Sequence, residues 1–195
     1  FAVNHPASGG DRVEIFDIAM DGTLSHEESV DSSLFISLND VLAAGPRSFY
    51  ATNDHTAKSS LGRTLGDGLL LRNSNVVYFD GENARVAADT LLYANGINMS
   101  PDGKTVYAAS ALGMSMYIYD RNPATGDLKA VDNVRLGTGV DNIDVQSAVQ
   151  RHGREAAEVA VALPLGLVGT AWSVREVRKH RGRGPRESGA ALLGE

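Results

Sequence analysis

The feature that most limits what this chain can fold into is a long-period echo. Asn39-Asp40-Val41 is followed by apolar residues, by Gly45-Pro46 and by Phe49-Tyr50-Ala51. Asn95-Gly96-Ile97 is followed by Ser100-Pro101-Asp102-Gly103 and Val106-Tyr107-Ala108, and Asp141-Asn142-Ile143 opens a third copy. The spacing is 56 residues from Asn39 to Asn95 and 46 from Asn95 to Asp141. Four-stranded propeller blades repeat about every 40–50 residues, so each echo marks the start of one blade. Equivalent positions of successive blades face a common axis. The two asparagines and the Asp-Asn pair are therefore expected to converge.

The local rhythm agrees with that period. Arg12 to Ile18 alternates apolar and polar residues and ends at Asp21-Gly22. Asn75 to Phe79, Asp80-Gly81 and Ala84 to Ala88 read as a hairpin, and Thr105 to Ala109 with Ser115 to Tyr119 as a second antiparallel pair. Asn122 to Asp127 reads as a turn before a short outer strand, Leu128 to Val131. Twenty-one glycines against five phenylalanines and one tryptophan suit a chain with many tight turns. At 195 residues the chain is one domain's worth, and 43% apolar residues exclude wholesale disorder. The absence of cysteine excludes a disulfide scaffold, a thiolate metal site and a cysteine nucleophile. No apolar run approaches the ~18 residues of a transmembrane helix. No signal peptide is visible, and the chain reads as starting inside a strand. The predicted fold is all-β: a partial propeller of about three blades.

The third copy does not continue. After Asp144-Val145-Gln146 comes a helix-like composition, then Arg and Gly, and charge changes at the same place. Residues 1–146 hold ten Lys/Arg against nineteen Asp/Glu, net −9, whereas residues 147–195 hold eight against five, net +3. The expectation is a propeller segment over 1–146 and a basic, helical or disordered tail over 147–195. Arg175 to Arg186 could meet nucleic acid or anionic lipid. Ala156 to Trp172 could enter a membrane, against which stand Glu158, Pro164 and two glycines. The favoured reading is a non-native segment, such as the product of a shifted reading frame, with no nucleic-acid partner and no transmembrane span.

Oxygen ligands from Asn and Asp suit a hard cation, and Ca²⁺ accepts six to eight of them in loose geometry. Asn39, Asn95, Asp141 and Asn142 would supply four, although Asn and Asp before a strand also serve simply as turn-formers. Ile18-Ala19-Met20-Asp21-Gly22-Thr23 has the outline of a phosphatase motif, but Ala19 stands where the nucleophilic carboxylate belongs. No Gly-rich loop ends in Gly-Lys-Ser/Thr. Asn98-Met99-Ser100 is formally a glycosylation sequon in a repeat turn.

Leu38 to Pro46, Phe49 to His55, Tyr93 to Lys104 and Val140 to Ile143 resemble the paraoxonase/arylesterase family, and Val3-Asn4-His5-Pro6 and Val13-Glu14-Ile15-Phe16 match it in the same order. The resemblance covers about residues 1–146. It implies a six-bladed propeller with two calcium ions in its central tunnel, hydrolysing lactones and aryl esters. It implies Asn39, Asn95, Asp141 and Asn142 as ligands of the catalytic calcium and Asp40 as a ligand of the structural one. His5 resembles the second histidine of a proposed catalytic dyad, and His55 lies in a segment lining the site's surroundings. The family's acidic pair and first dyad histidine would precede Phe1. Alternatives are a non-catalytic propeller scaffold and a gluconolactonase- or strictosidine-synthase-like propeller. The expected partner is a small ester or lactone, and open sheet edges would favour self-association.

Overall fold

The computed structural model describes residues 1–57, 59, 61, 62, 64, 68, 69, 73–147, 157–161 and 172–175. Its strands form four antiparallel meanders in chain order. The first sheet holds β1 (Ala2–Asn4), β2 (Arg12–Ile18) and β3 (Leu24–Asp31). The second is a complete four-stranded blade of β4 (Leu38–Ala43), β5 (Phe49–Asn53), β6 (Ser74–Phe79) and β7 (Ala84–Leu91). The third repeats it with β8 (Ala94–Met99), β9 (Thr105–Ser110), β10 (Ser115–Arg121) and β11 (Leu128–Arg135). Together they form the expected partial propeller.

The repeat forces this stacking because side chains of a strand alternate between its two faces. In β5, Phe49 and Ala51 face the first sheet, where they join Val13, Ile15 and Val30. Tyr50, between them, faces the third sheet and joins Ala94, Ile97, Val106 and Tyr119. All five residues of β5 are buried. A third cluster around Tyr107, Met116 and Ile118 receives Val140 and Ile143. The second and third blades are thus covered on both faces by their neighbours, and no single sheet could bury its apolar surface alone.

The predicted turns form as expected. Asp80 Oδ1 accepts from the amides of Glu82 (2.9 Å) and Asn83 (2.8 Å), closing the β6–β7 hairpin at Gly81 with φ +110°. The Asn122–Asp127 turn is closed by bonds from Asn122 N to Asp127 O and from Gly126 N to Asn122 O. It also ties two blades together. Tyr50 Oη donates to Gly126 O (2.8 Å), and Arg121 Nε donates to Tyr50 Oη (3.0 Å).

Beyond the third blade the described residues form three short strands. β12 (Ile143–Ser147) runs across the change in composition and pairs with β13 (Ala157–Val161), which pairs with β14 (Trp172–Arg175). Val159, Val161, Trp172 and Val174 are β-branched or aromatic, and β12 offers an open ladder edge on which such residues can pair. The basic run 178–186 lies outside the described residues. Among the described residues no helix is long and apolar enough to cross a membrane.

Candidate functional site

The two echoed asparagines sit on the same irregularity. In the second sheet Leu38 pairs with Asn53 and Val41 with Ala51, so three steps along β4 match two along β5. In the third sheet Ala94 pairs with Ser110 and Ile97 with Ala108, the same slip. The extra residues are Asn39-Asp40 and Asn95-Gly96. Asn and Asp are poor strand residues, and a bulge is where a strand accommodates them and re-aims their side chains.

These two bulges and the start of β12 are joined by hydrogen bonds. Asp40 Oδ2 accepts from Ile97 N (2.9 Å), and its Oδ1 accepts from Val41 N (2.8 Å). Thr52 Oγ1 accepts from Asp40 N (3.0 Å) and donates to Asn95 O (2.8 Å). Gly96 N donates to Asp141 O (2.8 Å), and Asn98 Nδ2 donates to Ile143 O (2.8 Å). The inner strands β4, β8 and β12 are therefore neighbours, and the segments bearing Asn39, Asp40, Asn95, Asp141 and Asn142 come together. A Cβ on Gly96 would lie 2.7 Å from Asn142 Cα and 3.0 Å from Ile143 N, closer still to Asp141 O. Only glycine lets these two backbones approach.

One atom in this constellation is unsatisfied. Asn95 is 8% exposed, and its Oδ1 is buried without a hydrogen-bond partner. A buried carbonyl oxygen left unpaired costs about 1–3 kcal/mol, which a cation or other donor at that point would offset. Asn39 and Asn142 are exposed and Asp40 and Asp141 half-buried. Among the described residues no three His, Cys, Asp or Glu side chains gather as a metal group. Any cation here must rely largely on amide oxygens, a donor set that suits Ca²⁺.

Both predicted histidines lie at the same end of the sheets as these bulges. His5 follows β1, and its Nδ1 is 2.9 Å from Asp11 Oδ1. The other carboxylate oxygen, Asp11 Oδ2, accepts from Leu38 N (2.7 Å), the residue before Asn39. His55 follows β5, with Nδ1 2.8 Å from Asp54 Oδ1. Its buried ring meets Tyr93 edge-on at 5.0 Å, two residues before Asn95. His5 is open to solvent and His55 is not. Asp11 lies outside the quoted motifs, and Thr52 and Gly96 lie within them without being singled out as site residues. Their roles come from contacts 27 to 45 residues away.

A third histidine lies elsewhere. On the first sheet Glu14 accepts from Asn4 Nδ2 (2.7 Å) and Ser29 Oγ and faces His26 Nε2 (2.8 Å). These bonds, Asn4's foremost, lower the Glu14 pKa from 4.5 to about 2. His26 turns the same nitrogen to Glu14 and to Ser29 (3.3 Å). A relay needs one ring nitrogen for the acid and the other for the hydroxyl, so this cluster is not a nucleophilic triad. Asp21, in the phosphatase-like segment, caps its turn by accepting from Thr23 N (2.9 Å).

Comparison with known proteins extends the picture. A family model described as Arylesterase matches residues 1–151. Serum paraoxonase/arylesterase 2 of Rattus norvegicus is 39% identical over 146 residues, which are 74% of this chain and 41% of that protein. Serum paraoxonase/arylesterase 1 of Homo sapiens is 38% identical over 144 residues, 73% of this chain and 40% of that protein. Among solved structures, a luciferin-regenerating enzyme aligns with a TM-score of 0.47 at 14% identity, covering 78% of this chain and 50% of that one. The chain spans about two fifths of the length of these curated relatives. The matched bulges, the linked inner strands and this similarity lead to one assignment: the chain belongs to the arylesterase family.

Proposed function

We propose that this chain is part of a calcium-dependent hydrolase of carboxylic esters or lactones. The observation that carries the reading is the buried, unpartnered Asn95 Oδ1, set on a bulge between two neighbouring inner strands. Asn39, Asn95, Asp141 and Asn142 would hold the catalytic cation. The free lone pairs of the Asp40 carboxylate would serve a second, structural one. A bound Ca²⁺ would supply polarisation of the substrate's carbonyl oxygen and compensation for its developing charge.

The chain's own groups do the rest. His5, open to solvent and held by Asp11, takes a proton from the attacking water and later returns it to the leaving oxygen. His55, buried against Tyr93, supports the backbone that enters Asn95. Thr52 holds the Asp40 and Asn95 bulges at a set distance. Because these residues span about two fifths of the length of the curated relatives, binding by them alone is expected to be weak, with Kd roughly 10⁻⁴–10⁻³ M, and turnover low.

Terbium bound near Tyr93 should be sensitised by that ring and displaced by Ca²⁺. Saturable, calcium-competed emission that disappears in Asn95→Ala supports the reading. Emission identical in the two proteins removes its basis. Phenyl acetate hydrolysis that a chelator leaves unchanged would instead favour a metal-independent role or a binding scaffold.

A further inference from the structure

We propose that Asp11 is a positioning residue: it holds the His5 imidazole with its proton on Nδ1, leaving Nε2 free as a base, and locks that ring to the bulged strand β4. The inference rests on the reading of His5 as a general base, but the geometry behind it is independent of any metal. Gly9 and Gly10 both take left-handed backbone, φ +84° and +78°, and Gly9 N closes on Pro6 O at 2.9 Å. This tight loop returns the chain so that Asp11 stands beside His5, six residues earlier. L-residues adopt such φ values only with strain, so the two glycines make the return possible.

The carboxylate divides its two oxygens between two tasks. Oδ1 faces His5 Nδ1 at 2.9 Å, while Oδ2 accepts from Leu38 N at 2.7 Å. An ionised carboxylate can only accept, so a hydrogen bond with Nδ1 requires the proton to sit on that nitrogen. Nε2 then carries the lone pair. A carboxylate fixing the tautomer of a histidine through Nδ1 is a recurring device in proton transfer. Exposure is partitioned to suit it, with the His5 side chain 59% exposed and that of Asp11 17%. The orienting group is sheltered and the working group is not. Leu38 is buried and immediately precedes Asn39, so the same carboxylate sets where the imidazole stands relative to the bulge.

Asp11→Asn separates the two tasks. Leu38 N–H can only donate, so the oxygen of the substituted amide must stay on that side. Its NH₂ then points at His5 Nδ1, which can accept only if the proton moves to Nε2. The tautomer is read on the 195-residue chain labelled with ¹⁵N-histidine, at about pH 8.5, well above the ordinary imidazole pKa of about 6.5. His5→Gln assigns the signals. The expected result is Nδ1–H in the unsubstituted chain and Nε2–H in Asp11→Asn, with Asp11→Glu retaining Nδ1–H. A proton on Nε2 in the unsubstituted chain, or an unchanged tautomer in folded Asp11→Asn, overturns the proposal. If Asp11→Asn does not fold, the unsubstituted chain's tautomer decides the matter alone. Where esterase activity is measurable, Asp11→Asn should lower kcat roughly 10²–10⁴-fold with KM little changed. The hydrolase reading is tested apart from this, by the calcium-competed terbium emission and its loss in Asn95→Ala, and its failure there leaves the tautomer result standing.

Discussion

Gly96→Ala tests whether the close approach of β8 to the start of β12 organises the site. The added methyl would sit 2.7 Å from Asn142 Cα and 3.0 Å from Ile143 N, with Asp141 O nearer still. Carbon contacts relax at about 3.5–4.0 Å, so the two backbones must separate by roughly 1 Å. The groups in the way are main chain and cannot rotate aside. The Gly96 N to Asp141 O bond, 2.8 Å long, would be lost. Overpacking at about 1–3 kcal/mol and a lost hydrogen bond at about 1 kcal/mol oppose an unfolded-state gain of about 0.4–1 kcal/mol from replacing glycine. The net loss is expected near 2 kcal/mol, read as a lower urea midpoint with unchanged slope. Because Asn95 and Asp141–Asn142 are displaced together, terbium affinity should fall about 10–100-fold. A neutral or stabilising substitution would refute the packing argument. A destabilised chain with unchanged terbium affinity would refute its link to the metal ligands.

Two further outcomes follow from other parts of the fold. Glu14 has its pKa lowered from 4.5 to about 2 in the folded chain, so its stabilisation is present above about pH 4.5 and is lost as pH falls toward 2; Glu14→Gln should flatten urea stability across that window, and an unchanged acid slope would contradict the assignment. Gly126→Ala places a methyl 2.8 Å from Tyr78 Cδ1, and closer to Cε1 and Cζ, at φ +72°. It should disrupt the Tyr50–Arg121 tie between blades and lower the thermal midpoint by several degrees, whereas an unshifted midpoint would show that the turn moves freely.

The strands legible in the sequence are those with alternation or an Asx-Gly turn at one end, such as Arg12–Ile18 and Ser74–Phe79. Leu24–Asp31 is a strand although its middle reads Ser-His-Glu-Glu-Ser, because an outer strand exposes most of its residues and loses the apolar signal. The candidate ligands were legible because a repeat marks equivalent positions. Asp11, Thr52 and Gly96 were not, because each acts on a partner in another blade and its importance depends on the register that places it there.

The sequence by itself determined the repeat, and with it the stacked all-β architecture, since a chain that alternates apolar residues every second position and restarts every 46 to 56 residues can bury them only between successive sheets. It also determined which residue types would meet at the inner strands. Tertiary structure alone decided how they meet: that two bulges fall in step, that a threonine and a glycine hold three inner strands together, and that one aspartate serves both a histidine and a strand. Those outcomes depend on distances of a few ångströms between segments remote along the chain, set by the packing of whole blades, and local sequence carries no record of them.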